Sequence, residues 1–69
     1  MTQAPWTDET DETIARLVVE GLPNKAIAAR LGIPEGTVKW RLHRMYGRAG
    51  VQSRTRFVLV LRDLATGDG

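Results

Sequence analysis

Between Gly36 and Arg44 the chain reads GTVKWRLHR, and four of its side chains could do chemistry. Lys39 and Arg44 carry positive charge, His43 carries an imidazole that can donate, accept or bind a metal, and Trp40 offers a large aromatic face. A metal site or a general base needs partners. His43 has none, because it is the sole histidine, the chain has no cysteine, and no carboxylate lies nearby on its own segment. No nucleophile and base, and no pair of carboxylates, converge on any expected face, so no enzyme, metal site or cofactor is expected. What Lys39, His43 and Arg44 can do is donate hydrogen bonds to phosphates or to the O6 and N7 edge of guanine.

The charge around them points the same way. From Met1 to Glu20 there are five acids (Asp8, Glu9, Asp11, Glu12 and Glu20) against one base, Arg16. From Asn24 to Arg56 there are eight bases (Lys25, Arg30, Lys39, Arg41, Arg44, Arg48, Arg54 and Arg56) against one acid, Glu35. A net charge of +2 conceals this division, and a basic block of that length suits either a polyanion partner or a solvated cationic surface.

The elements that would hold these residues are marked by glycine and proline. Thr7 or Asp8 can cap a first helix whose early acids suit its positive end, and Ile14, Leu17 and Val18 repeat along one face. Gly21 and Pro23 end it. A second, short helix runs from Asn24 to Leu31 with Ile27 and Leu31 inward, and Gly32 stops it. After the tight connection GIPEG, a third helix from about Glu35 to Arg48 turns Val38, Leu42, Met45 and Tyr46 inward. Trp40 then falls nearly opposite the core, an unusual place for a large apolar ring. Arg41 lies at the edge of the inner face, where it can pair with an acid of the first helix. Two helices joined by a short glycine-containing turn are a helix-turn-helix, whose second helix can enter the DNA major groove.

Ser53 can cap a fourth segment reaching about Ala65. Its FVLVL core has strand propensity, but a strand would lack a hairpin partner, so a helix is expected. That helix would carry two apolar stripes, Val58/Leu61/Ala65 and Phe57/Val60/Leu64. One packs on the core, and the other either wraps it further or meets a second subunit. The residues assigned to such a dimer interface are Phe57, Val60, Leu61 and Leu64.

Sixty-nine residues are expected to form one domain, with residues 1–6 and 66–69 as frayed tails. A chain of this size buries only about 60% of its unfolded surface, so a partner is a plausible source of added stability. No apolar run approaches the roughly 18 residues of a membrane span, and MTQAPWTDETDET lacks the segments of a signal peptide. A soluble, cytoplasmic protein without membrane contact is expected.

The stretch LVVEGLPNKAIAARLGIPEGTVKWRLHRMYGRAGVQSRT resembles the DNA-binding domain of LuxR/GerE-type regulators, found also in NarL-like response regulators. Three consecutive segments agree with their spacings intact. LGIPEGTVKWRLHR is also similar to the last region of extracytoplasmic-function sigma factors, but MYGRAGVQSRTRFVLVLRDL is similar to the LuxR-type fourth helix. Two departures concern helix starts. The family's usual Ser-Asn-Lys-Glu is here PNKA, and Pro34 stands where a Ser or Thr cap is common. Each missing cap should cost about 1 kcal/mol and loosen its helix start or shift it by a residue.

The resemblance implies an all-α, four-helix fold whose third helix lies in the major groove. It places Lys39, Trp40 and His43 against base edges, with Arg44 next in rank. Trp40 would pack on thymine methyls or sugar carbons, while Lys39 and Arg44 could instead touch phosphate alone. Phosphate candidates are Lys25, Thr37, Arg48, Arg54 and Arg56. About four such contacts per subunit in a dimer would give a salt slope near −7, at roughly −0.9 per phosphate. The expected function is sequence-specific binding of double-stranded DNA by a small transcriptional regulator, as a homodimer, with RNA polymerase or a regulatory protein as further partners. The alternatives are sigma-like recognition of a −35 promoter element and a protein-interaction module built on the same fold.

Overall fold

The computed structural model describes Trp6 and residues 8–66. The remainder of the expected tails and Thr7, one of the two candidate caps, lie outside the described residues.

Four helices follow in order: α1 (Glu9–Val19), α2 (Asn24–Leu31), α3 (Glu35–Ala49) and α4 (Arg54–Thr66). Asp8 caps α1, its carboxylate accepting from the Asp11 N–H at 2.8 Å, and Glu9, Asp11 and Glu12 occupy the first turn, where the helix dipole favours them. Ser53 caps α4 by accepting from the Arg56 N–H at 3.2 Å. The two expected cap losses are present, since Pro23 and Pro34 occupy the N-cap positions of α2 and α3 and give no side-chain hydrogen bond. Neither start is shifted: Pro23 and Pro34 sit at φ −72° and −63°, in the range their rings fix, and their extended ψ leads into each helix.

The connection between α2 and α3 turns on Gly32, left-handed at φ 69°. Its N–H and that of Ile33 both donate to the Ala28 carbonyl, so the chain reverses within three residues and Ile33 packs against the core.

The inward faces meet as the spacing requires. Ile14, Leu17 and Val18 of α1, Ile27 and Ala28 of α2, and Val38, Leu42 and Met45 of α3 are all buried. Tyr46 reaches Phe57 of α4 across a tilted ring contact with centroids 5.0 Å apart. Trp6 also packs against this core, which corrects its assignment to a frayed tail.

Helix α4 corrects the interface assignment. Phe57 and Leu61 are buried in the core, and Leu64 is half-buried against it. The face that packs is therefore 57/61/64, which borrows from both expected stripes because the line of contact runs between them. Buried side chains cannot meet a second subunit, so Phe57 and Leu61 leave the interface set. Leu59, in neither stripe, is 56% exposed.

Candidate nucleic-acid interface

The burial of Val38, Leu42 and Met45 fixes the rotation of α3 and thereby turns Lys39, Trp40, His43 and Arg44 to solvent. A helix with three consecutive inward anchors presents its opposite face whole, and here that face carries four donors or aromatic groups within two turns. Trp40 is 58% exposed. The Arg44 guanidinium lies over its ring, with Cζ 4.9 Å from the centroid, within range of a cation–π contact. His43 stands beside Tyr46, centroids 6.4 Å apart.

Arg41 behaves differently from its neighbours. One of its terminal nitrogens donates to Asp11 at 2.9 Å and to Asp8 at 3.3 Å, clasping the start of α1 to the middle of α3. Asp11 is buried while Asp8 is exposed, so the pair has one dry and one wet end. The Asp8 carboxyl is held below the ordinary carboxylate range, first by the Asp11 N–H it accepts from and then by Arg41, with Arg44 adding a favourable charge. Asp11 is the largest cause of the raised Arg41 pKa. The clasp neutralises Arg41 and leaves Lys39, His43 and Arg44 as the donors of the exposed face.

Among the phosphate candidates, Lys25 is exposed in the first turn of α2, Arg48 is exposed near the end of α3, Arg56 is exposed in the first turn of α4 and Thr37 is half-buried in the first turn of α3. Arg54 is corrected. Its guanidinium donates to the Leu22 carbonyl and to Asn24 Oδ1, both at 2.6 Å, tying α4 to the loop before α2 and to the first residue of α2. A guanidinium committed to two internal acceptors is a tether, so Arg54 leaves the phosphate set. Nothing in the sequence pairs Arg54 with Leu22, because the acceptor is a carbonyl that any residue would supply.

The apolar groove between α1 and α4, lined by Trp6, Ala15, Val19, Leu61 and Ala65 with Arg16 and Arg62, has no set of converging polar groups that would fix a small ligand. Among the described residues, no group of three His, Cys, Asp or Glu side chains could hold a metal ion, and no helix is long and apolar enough to cross a membrane.

A left-handed glycine turn between α2 and α3, and a cationic, aromatic outer face on α3, define a helix-turn-helix. Residues 9–67 match the model of the luxR family of bacterial regulatory proteins, and the chain belongs to that family. It is 40% identical over 52 residues to the transcriptional regulatory protein YdfI of Bacillus subtilis, a match covering 75% of this chain and 24% of that one. It is 42% identical over 57 residues to the Aeromonas salmonicida protein named "Putative HTH-type transcriptional regulator in exeN 3'region", covering 81% and 29%. A Mycobacterium tuberculosis protein of similar name is 43% identical over 49 residues, covering 71% of this chain and 6% of its own length. The chain thus spans less than a third of these relatives. No solved structure matches it.

Proposed function

We propose that the chain binds duplex DNA sequence-specifically as the DNA-reading part of a transcriptional regulator, with α3 in the major groove. The observation that carries this reading is the solvent face of α3, where Lys39, Trp40, His43 and Arg44 stand together while Arg41, equally basic, is withdrawn by Asp8 and Asp11. Lys39 and His43 donate to guanine O6 or N7. Lys25, at the positive end of α2, and Thr37 and Arg48 hold the phosphate backbone on either side.

The regulator acts as a two-fold dimer through α4. Arg56, Leu59, Val60 and Asp63 share one helix face and line one shallow groove with Val51. In an antiparallel pair centred between Leu59 and Val60, Arg56 faces Asp63 of the partner subunit twice, as an isologous contact requires. This assigns Arg56 to the subunit contact ahead of phosphate.

Lys39→Glu tests the reading: it should abolish a gel shift with a selected duplex while leaving the thermal midpoint nearly unchanged, because the side chain is exposed. In a Trp6→Phe variant, Trp40 fluorescence should quench or shift when duplex is added. A Lys39→Glu protein that still binds, or a Trp40 signal indifferent to bound DNA, would remove α3 from the groove.

A further inference from the structure

We infer that Trp40 acts on DNA through Arg44, as a platform that holds the guanidinium in place to read a guanine. The inference deepens the DNA-binding reading and rests on it.

Arg44 and Trp40 are one helical turn apart on the exposed face of α3, and the guanidinium carbon lies over the indole at 4.9 Å. The contrast with Arg41 is instructive, since the two arginines stand three residues apart on one helix. Arg41 spends its charge on two carboxylates. Arg44 is exposed, and its charge reaches Asp8 only as a favourable field, so its N–H donors remain available to a ligand. An aromatic face satisfies the charge of a guanidinium without consuming its donors, which lie at the edge of the plane.

That difference separates phosphate contact from base reading. A phosphate accepts from many directions, and a flexible side chain reaches it as well as a fixed one. A single donor can reach guanine O6 or N7, but meeting both at once in a fixed geometry favours two parallel donors in one plane, and a stacked guanidinium loses less rotamer freedom in doing so. A lysine at position 44 would keep the charge and lose the plane. Trp40 is then a positioning residue, and its exposed bulk is explained by its neighbour as well as by the DNA.

The test is selection of bound sequences from random duplex by the full chain, run in parallel for wild type, Arg44→Lys, Trp40→Ala and Trp40→Phe. All three substitutions fall on exposed side chains, so the core is preserved. Wild type should enrich a guanine that Arg44→Lys no longer prefers, with discrimination falling from about tenfold or more to under threefold. Trp40→Ala should lose preference at that same guanine, and Trp40→Phe should restore most of it. Replacing that guanine by 7-deazaguanine, which lacks the N7 acceptor, should weaken wild type by about fivefold or more and leave Arg44→Lys and Trp40→Ala nearly unaffected. In the DNA-free protein, the Arg44 side-chain resonances should carry a ring-current shift that disappears in Trp40→Ala.

Three results would overturn the inference while DNA recognition survives. These are full guanine discrimination by Trp40→Ala, an Arg44→Lys protein that keeps the wild-type guanine preference, and Arg44 resonances with no ring-current shift. Failure of wild type to enrich any sequence would instead overturn the DNA-binding reading beneath it.

Discussion

Arg41 carries more of the architecture than any other polar residue of α3. It joins an exposed carboxylate and a buried one, and removing it leaves the buried Asp11 side chain without its guanidinium partner. Arg41→Ala should therefore destabilise the fold by about 1–3 kcal/mol, less than the loss expected for a fully buried pair because the guanidinium is a quarter exposed. Chemical denaturation gives the value directly. The pH dependence follows from Asp8. Its folded pKa lies below the ordinary 3.8, so the folded state binds its proton less readily than the unfolded chain does, and its contribution is present above about pH 4 and is lost as the pH falls through the folded pKa. In Arg41→Ala that acid-side loss should shrink, although the Asp11 N–H remains to depress Asp8. An unchanged acid limb would remove Arg41 from the pair. Arg54 differs in kind, since its acceptors lie within the fold. Arg54→Ala should cost about 1–2 kcal/mol while leaving the salt dependence of DNA binding unaltered, whereas loss of a phosphate contact from each subunit of a dimer would make the slope shallower by about 2.

The turn between α2 and α3 shows how an element depends on one backbone angle. Gly32 sits at φ 69° with nothing within 4 Å of where a Cβ would stand, so a substitution meets no neighbour and its cost is conformational alone. Gly32→Ala should cost about 1 kcal/mol and Gly32→Asn less, since Asn tolerates the left-handed region. Equal cost for the two, measured by thermal unfolding, would mean that something other than the backbone decides. Much of this level was legible in the sequence. The Gly and Pro punctuation and the apolar spacing gave α2 its bounds and the rotation of α3, and that rotation alone placed Lys39, Trp40, His43 and Arg44 outside. Helix α4 was less legible, because FVLVL is apolar at every position and periodicity cannot choose its inner face. Only the packing of Phe57 against Tyr46 reveals that 57/61/64 turns inward and Leu59 outward. The tether from Arg54 to a backbone carbonyl was invisible for a related reason: a carbonyl carries no sequence signature.

At the scale of the whole molecule, the acids of the first twenty residues and the bases beyond them meet at the Arg41 clasp, and the uncompensated positive charge falls on α3 and its flanks. With Arg54 internal and Arg56 assigned to the subunit contact, about two to three phosphate contacts per subunit remain. A dimer should then show a slope of log K against log salt near −4 to −5, shallower than five phosphate candidates would give. Leu59→Asp should convert the proposed dimer to monomer in sedimentation and weaken binding to paired half-sites far more than to one half-site, while leaving the core intact because Leu59 is exposed. A Leu59→Asp protein that remains dimeric would place the interface elsewhere. Sequence reading by α3 is measured by the ratio of affinities for the selected duplex and a scrambled one at about 0.15 M salt. Recognition by base edges should give a ratio of about a thousand or more; a ratio near one would mean that the basic face binds phosphates alone, and would contradict it.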